Sequence, residues 1–341
     1  MKRKIEKIKL DLKNELLLRI EDLKMSKNTG PLVVEIAPTF GCNHNCIHCG
    51  FQQYSSYANK KRFLPLKQYK EFVDDFTTLG GKEIWFAGNG EPFLNPNFSE
   101  MVKYAANKGL SIGISSNTVP ATQKKIKDTI ENISWTKFSL NGATPDTYSK
   151  VHRCEPKDFF RAVDNIKLFS SYSKKSIQKP LISIQYLIMR DNWDEIEQMV
   201  MLHKVMGFDQ LIFRNVTRKE HDLVQIPDNI KKILTKVDNA DDVIIDWNSF
   251  DKKPVSDWNT CYGINFRINL SENGDLYTCC RNLVIPSVYG NILENRFYDI
   301  WHSPQKDHLF QDIYNFKDRK CCLKWCQCAS DNKIINEQMI H

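Results

Sequence analysis

The sequence predicts an α/β protein built on a parallel sheet and followed by a small second unit. Three observations in its 341 residues carry that expectation. From Leu32 to about Thr217, short runs rich in Ile, Val, Leu and Phe alternate with segments of helical period, the pattern of strands joined by helical crossovers. Glycines stand where helices must end, as at Gly80-Gly81 and at Asn107-Lys108-Gly109. Cysteines gather at two places: Cys42, Cys46 and Cys49 follow the first strand-like run, and seven more lie between 261 and 328, with Cys154 alone between the groups.

Taken in order, residues 2–26 place Ile5, Ile8, Leu12, Leu16 and Leu23 on one helical face, so 1–30 reads as an amphipathic helix packed on the domain with its charged face solvated. Asn28-Thr29-Gly30-Pro31 ends it. Strands are expected at 32–37, 83–87, 110–115, 135–140, 181–188 and 209–214, with helices near 65–79, 97–108, 121–132, 157–170 and 192–206. These elements make one domain, 31–220. Periodicity does not decide whether its sheet is flat or curved into a partial barrel. Residues 221–258 read as a linker with one helical segment, Asn229 to Val237, and an Asp-rich turn. The last unit, 259–341, opens with Phe266 to Leu270 and Asp275 to Thr278 around Asn273-Gly274, a β-hairpin pattern.

Composition narrows the class. No apolar run approaches the roughly 18 residues that span a bilayer, and no signal-peptide core follows the basic start, so the expected location is the cytoplasm. Thiols stay reduced there, which makes eleven cysteines a metal inventory rather than a disulfide framework. The formal charge is +7, but residues 1–28 hold nine Lys/Arg against five Asp/Glu, so +4 of it sits in one segment. The charge is therefore not the footprint of a nucleic-acid partner.

Cys42, Cys46 and Cys49 form a C-x3-C-x2-C run. Three thiolates can hold a four-iron cubane and leave one iron without a protein ligand, open to chemistry. Zinc is the competing occupant, with His44 and His48 available to complete a site. The run, placed just after a first strand, resembles that of the radical S-adenosylmethionine (radical SAM) enzymes. The resemblance implies a six-stranded partial (β/α) barrel with its site at the C-terminal strand ends. It also implies a [4Fe–4S] cluster on Cys42, Cys46 and Cys49 whose open iron chelates S-adenosylmethionine. Reductive cleavage of that cofactor to a 5′-deoxyadenosyl radical, which takes a hydrogen atom from substrate, is the family reaction, and a flavodoxin- or ferredoxin-type protein is the expected electron donor.

Further motifs fit the same family. Gly88-Asn89-Gly90-Glu91-Pro92 looks like its glycine-rich motif after the second strand, where Gly88, Gly90 and Glu91 would meet the cofactor's ammonium group. Ser116 and Asn117 end the third strand, Ser139 ends the fourth and Gln185 lies on the fifth, positions suited to ribose hydroxyls and the methionyl carboxylate. Relatives usually carry S-L-D-G-A at the fourth strand end, where this chain has Asn141. Relatives also place an aromatic ring before the third cysteine; here that position is His48, and Phe51 is the alternative ring for adenine. Cys154 and Cys280 are candidate hydrogen-atom donors to a substrate radical, because an S–H bond is weaker than most C–H bonds.

The spacing Cys261, twelve residues, Gly274, four residues, Cys279 resembles the first half of a SPASM or twitch domain, a small hairpin-plus-helix unit that holds auxiliary [4Fe–4S] clusters. At least one such cluster is implied, on Cys261, Cys279, Cys322 and Cys326, with Cys321 and Cys328 as alternates. Adjacent pairs at 279–280 and 321–322 rarely place both thiolates on one cubane, which favours one auxiliary cluster over two. A zinc ribbon is the other reading. Only 41 residues precede Cys42, which favours oxidation or epimerisation of a small polyhydroxylated substrate such as an amino sugar, aminocyclitol or nucleotide sugar. Modification of a ribosomally made peptide is the alternative, and a non-catalytic iron–sulfur or zinc protein the reading of another class. Arg153, Arg190 and Arg214, at or after strand ends, are candidates to hold a phosphate or carboxylate.

Overall fold

Alternation along each strand sets the architecture. In Glu83–Phe86, Ser111–Ser116, Trp135–Ser139, Ser183–Ile188 and Gln210–Asn215, one face carries fully buried apolar side chains such as Ile84, Phe86, Ile112, Ile114, Phe138, Ile184, Tyr186, Leu211 and Phe213. Period-two side chains on the other face, among them Trp85, Ser115, Lys137, Ser139, Gln185 and Arg214, keep partial exposure. The structure, a computed structural model, describes residues 2–25, 29–50, 62–216, 225–250, 260–278, 288–315 and 329–339, with side chains from residue 12 onward except those of 329, 330 and 339.

The elements run α1 (Lys2–Lys24), β1 (Val33–Ile36), β2 (Thr39–Phe40), β3 (Arg62–Phe63), α2 (Leu66–Thr78), β4 (Glu83–Phe86), α3 (Phe98–Asn107), β5 (Ser111–Ser116), α4 (Gln123–Ile130) and β6 (Trp135–Ser139). They continue with α5 (Pro145–His152), α6 (Lys157–Lys175), β7 (Ser183–Ile188), α7 (Ile196–Met206), β8 (Gln210–Asn215), α8 (Asp228–Val237) and β9 (Val243–Ile245). The last unit holds β10 (Arg267–Leu270), β11 (Asp275–Tyr277), β12 (Val288–Asn291), α9 (Phe297–Trp301), α10 (Pro304–Asn315) and α11 (Ala329–Met339). All six strands expected from the sequence form, each within two residues of its expected ends. Between Asn141 and Cys154 the chain forms α5, which the apolar patterning does not announce; Thr144 caps it by accepting from the Thr147 amide, and Pro145 starts it.

One ten-stranded sheet runs in the order β12, β11, β10, β1, β4, β5, β6, β7, β8, β9. Strands β1 and β4 to β9 are parallel to their neighbours, and their helices bury Phe72, Phe76, Phe98, Met101, Phe169 and Met199 against the apolar face. Burial of each such side chain contributes on the order of 1.5–3 kcal/mol. Two edges extend the sequence reading. The segment expected to be a linker supplies, in its described part, the crossover helix α8 and strand β9, which pairs with β8 at Leu211↔Val243 to Phe213↔Ile245. The expected C-terminal hairpin forms as β10 and β11, and β10 also lies parallel to β1, with Val33 opposite Arg267 and Ile36 opposite Leu270.

Helix α1 closes the bottom of this joint. Leu16 and Ile20 are buried against Leu32, Val33, Phe266 and Ile335, while Arg19 donates to the carbonyls of Gly30 and Gly80. Leu17 and Leu18 face solvent.

Candidate active site

The cysteine run sits on a loop that begins where β2 pairs with β3 and is pinned from three sides. Gly41 bridges Gly90 in parallel, and the Glu91 amide donates to the Gly41 carbonyl at 3.2 Å. The amides of Asn45 and Ile47 donate to the carbonyls of His152 and Val151, at 3.1 and 2.9 Å. Those carbonyls end α5 and have no partner within the helix, so the loop and the helix end satisfy each other. From the third side, Asn117 donates through Nδ2 to Asn43 Oδ1 at 2.9 Å and to Cys42 Sγ at 3.6 Å.

The glycine-rich stretch serves this junction. Gly88 has φ +96°, and a Cβ there would lie 2.6 Å from the Ala37 Cβ; a Cβ on Gly90 would lie 2.4 and 2.5 Å from the carbonyl oxygens of Thr39 and Gly41. Only glycine lets the strand-end loop approach the entry to the cysteine run so closely. Glu91 is buried, and its carboxylate accepts from Ser116 Oγ at 2.7 Å, the Asn117 amide at 2.8 Å and the Phe93 amide at 3.1 Å. Burial holds its carboxyl up to about 7, against the pull of those three donors. Ser116 also accepts from the Thr118 amide, and Asn117 Oδ1 from the Val119 amide. Thus Glu91, Ser116 and Asn117 tie the second and third strand ends to the cysteine loop, a role that spacing in the sequence does not reveal.

Ser139 and Gln185 are brought together. They are opposite each other in the β6–β7 register on the partly exposed face, and Gln185 Oε1 is buried without a hydrogen-bond partner among the described residues. Lower on the same face, Trp85 and Trp135 lie 5.7 Å apart between ring centroids. The Lys137 ammonium stands 4.9 Å from the first ring and 5.9 Å from the second. Trp85 donates to Ser115 Oγ at 2.9 Å, and Trp135 to Glu83 Oε2 at 3.1 Å. Arg214, beside Leu187 in register, pairs with Asp246 at 2.7 Å, and Arg153 occupies the left-handed position that ends α5.

Cys154 belongs to the turn between α5 and α6 rather than to a strand. Its sulfur shares a cluster with His44 and Asp158. Burial, followed by Asp158 and Glu155, pushes its thiol up to about 12, so it carries its proton at neutral pH. Cys261 is buried, and Asn332 Nδ2 donates to its sulfur at 3.3 Å while Asn332 Oδ1 accepts from the Gly263 amide at 2.7 Å. Phe51, Cys279, Cys280, Cys321, Cys322, Cys326 and Cys328 lie outside the described residues.

Around Cys46 the structure adds a group that the sequence reading passed over. His152 is fully buried, stacked on Tyr148 with ring centroids 4.1 Å apart, and edge-on to His44 and His48. Its Nδ1 lies 3.2 Å from Cys46 Sγ. A signal was present: Tyr148, Val151 and His152 form the buried stripe of α5, and a histidine on such a stripe needs partners.

These thiols suit an iron cluster. Burial, then Glu91, holds Cys42 up to about 12, while burial, then Cys42 and Cys49, holds Cys46 well above the ordinary thiol range. Thiols held this far up ionise when a metal shares the charge, as cysteine ligands of a cluster do.

Two family models match this chain: the radical SAM superfamily over residues 36–202, and the SPASM iron–sulfur cluster-binding domain over 261–329. Together they account for more than half of it. The chain belongs to the radical SAM superfamily and carries a C-terminal SPASM domain. It is 23% identical over 320 residues to a tungsten-containing aldehyde ferredoxin oxidoreductase cofactor-modifying protein of Pyrococcus furiosus, covering 83% of this chain and 86% of that one. It is 25% identical over 184 residues to an AdoMet-dependent heme synthase of Methanosarcina barkeri, covering 54% of this chain and spanning half the length of that relative. Among solved structures, Streptococcus suis SuiB bound to its precursor peptide SuiA superposes with a TM-score of 0.67 at 16% identity, covering 89% of this chain and 73% of that one. The sheet is accordingly a radical SAM partial barrel extended by the SPASM hairpin. Its cofactors are S-adenosylmethionine, the radical SAM [4Fe–4S] cluster and SPASM-type iron–sulfur. No helix among the described residues is long and apolar enough to cross a membrane.

Proposed function

We propose that this radical SAM enzyme abstracts a hydrogen atom from a small polyhydroxylated molecule held against the inner face of the barrel, leading to its oxidation or epimerisation. When bound, the cluster and S-adenosylmethionine supply the radical chemistry; the chain's own residues bind, orient and exclude water. In this reading Cys42, Cys46 and Cys49 are the cluster ligands. Ser139 and the unpartnered Gln185 Oε1 receive donors of the cofactor, and Glu91 holds the strand-end loops in place beneath it. Trp85, Trp135 and Lys137 form the substrate wall.

That wall is the observation that carries the reading. Two indoles beside an ammonium, with Ser115 adjoining, offer flat apolar surface and hydrogen-bonding groups together, the composition of a site for a ring bearing hydroxyl or charged substituents. Cys154 keeps its S–H bond at neutral pH, as a hydrogen-atom donor in epimerisation must; an auxiliary cluster on Cys261, Cys279, Cys322 and Cys326 would instead accept an electron in oxidation. A flavodoxin- or ferredoxin-type donor is the proposed source of reducing electrons.

A second reading, modification of a peptide, is favoured by the shared fold with SuiB, which is solved with a precursor peptide. Isotope transfer separates the two. Anaerobically reconstituted protein is reduced with dithionite in the presence of S-adenosylmethionine and offered deuterated amino sugars, aminocyclitols, nucleotide sugars or peptides. Deuterium in 5′-deoxyadenosine from a sugar-like molecule supports the first reading, and deuterium from a peptide replaces it with the second. Absence of 5′-deoxyadenosine under all conditions sinks the enzymatic reading.

A further inference from the structure

The Asn141 amide lies 3.2 Å from His152 Nε2. A backbone N–H can only donate, so Nε2 must be the acceptor and bear no proton. The remaining ring proton is therefore on Nδ1, and Nδ1 faces Cys46 Sγ at 3.2 Å. The backbone of a strand end thereby selects the tautomer that donates to the sulfur. Asn141 is itself held: its Oδ1 accepts from the Leu187 amide at 2.7 Å, and its carbonyl accepts from Asn192 Nδ2 at 3.0 Å. Tyr148 fixes the plane of the ring, and Asn45 donates to the His152 carbonyl.

We propose that His152 is a positioning residue whose Nδ1–H donates a hydrogen bond to the Cys46 thiolate and raises the reduction potential of the cluster on Cys42, Cys46 and Cys49. The proposal rests on the assignment of Cys46 as a ligand of that cluster. Reduction adds one electron to the cluster and increases the negative charge on its sulfurs, so a donor fixed at one sulfur favours the reduced form; hydrogen bonding to sulfur is among the levers that set such potentials. Because Nδ1 carries the proton, His152 is not itself an iron or zinc ligand, although His44, Cys46 and His152 lie close enough together to resemble a metal site.

The test uses the full chain with both cluster types reconstituted, following the electron paramagnetic resonance signal that S-adenosylmethionine perturbs, in a dithionite-poised redox titration. His152→Gln keeps an acceptor near the Nε2 position and loses the donor at Cys46; His152→Asn places an N–H near the Nδ1 position and loses the acceptor. The expected result is a reduction equilibrium about tenfold less favourable in His152→Gln, about 59 mV for one electron, with His152→Asn close to wild type. Equal potentials in all three proteins, or equal losses in both variants, overturn the proposal. Should the variants not fold, wild-type protein labelled with 15N-histidine decides. A weak nitrogen coupling to the reduced cluster supports the hydrogen bond, whereas no coupling, or the strong coupling of a directly bound nitrogen, overturns it. Cys46→Ala provides the separate check on the ligand assignment: if the S-adenosylmethionine-responsive cluster survives it, the assignment has failed rather than the hydrogen bond.

Discussion

Two regions of this molecule set a side-chain N–H against a cysteine sulfur, and they differ in how the chain reaches it. Cys46 receives His152 at 3.2 Å inside a loop that also holds Cys42 and Cys49. Cys261 receives Asn332 at 3.3 Å, and its proposed fellow ligands are spread over the next 65 residues of sequence. In the first case the proposed ligands are local and only the donor is distant; in the second both are distant. A local set of thiols keeps its geometry as long as one loop is pinned, whereas a dispersed set depends on the packing of a whole unit.

The largest expected effect breaks the first region. Replacing Cys42, Cys46 and Cys49 by Ala should remove about four irons and abolish formation of 5′-deoxyadenosine, while the remaining iron stays; iron analysis and chromatography read both, and unchanged cofactor cleavage would refute the assignment. Next, Cys261→Ala should lower iron by a similar amount yet leave cleavage of S-adenosylmethionine in the absence of substrate. Loss of both would show that the two regions are not independent.

Smaller effects probe what pins the first loop. Glu91→Gln sets a side-chain N–H against a backbone N–H at Asn117 or Phe93 and should destabilise the fold by about 1–3 kcal/mol at pH 5, read as a lower unfolding midpoint. The pH dependence has a definite sign. The folded carboxyl titrates near 7, above its ordinary 4.5, so its favourable contribution is full below about 4.5 and is lost as pH rises through about 7. Wild-type stability should therefore fall between pH 5 and 8 relative to Glu91→Gln. A flat difference over that range would mean the carboxylate is ionised throughout. Last, Asn332→Leu should leave the fold and cofactor cleavage intact and slow incorporation of auxiliary iron several-fold, which a time course of reconstitution would show.

The same contrast explains what was legible from sequence. Six strands and the cysteine loop could be read because apolar alternation and the C-x3-C-x2-C spacing are local signals. Strand β9 escaped because three residues, Val243–Ile245, look like part of an Asp-rich connection until β8 is beside them. Helix α5 had a legible start at Thr144-Pro145, but the role of His152 depends on Asn141 and Cys46, which are far apart in the chain. Glu91 was recognisable as a motif residue, yet sequence could not tell that Ser116, Asn117 and Phe93 engage its carboxylate. The pairing of β10 with β1 had no local signal, because a hairpin pattern fixes only its own two strands.

That pairing has a consequence for synthesis of the chain. Strand β1 finds its β4 neighbour about fifty residues later, but its other edge waits for Arg267–Leu270, more than two hundred residues downstream. Until then a nascent chain presents a mostly apolar strand, Val33–Ile36, with one row of backbone amides and carbonyls unpaired beside the loop of the proposed cluster ligands. Edges of this kind template association between chains, so expression at low rate or with a holdase chaperone should raise the yield of folded protein more than added iron does.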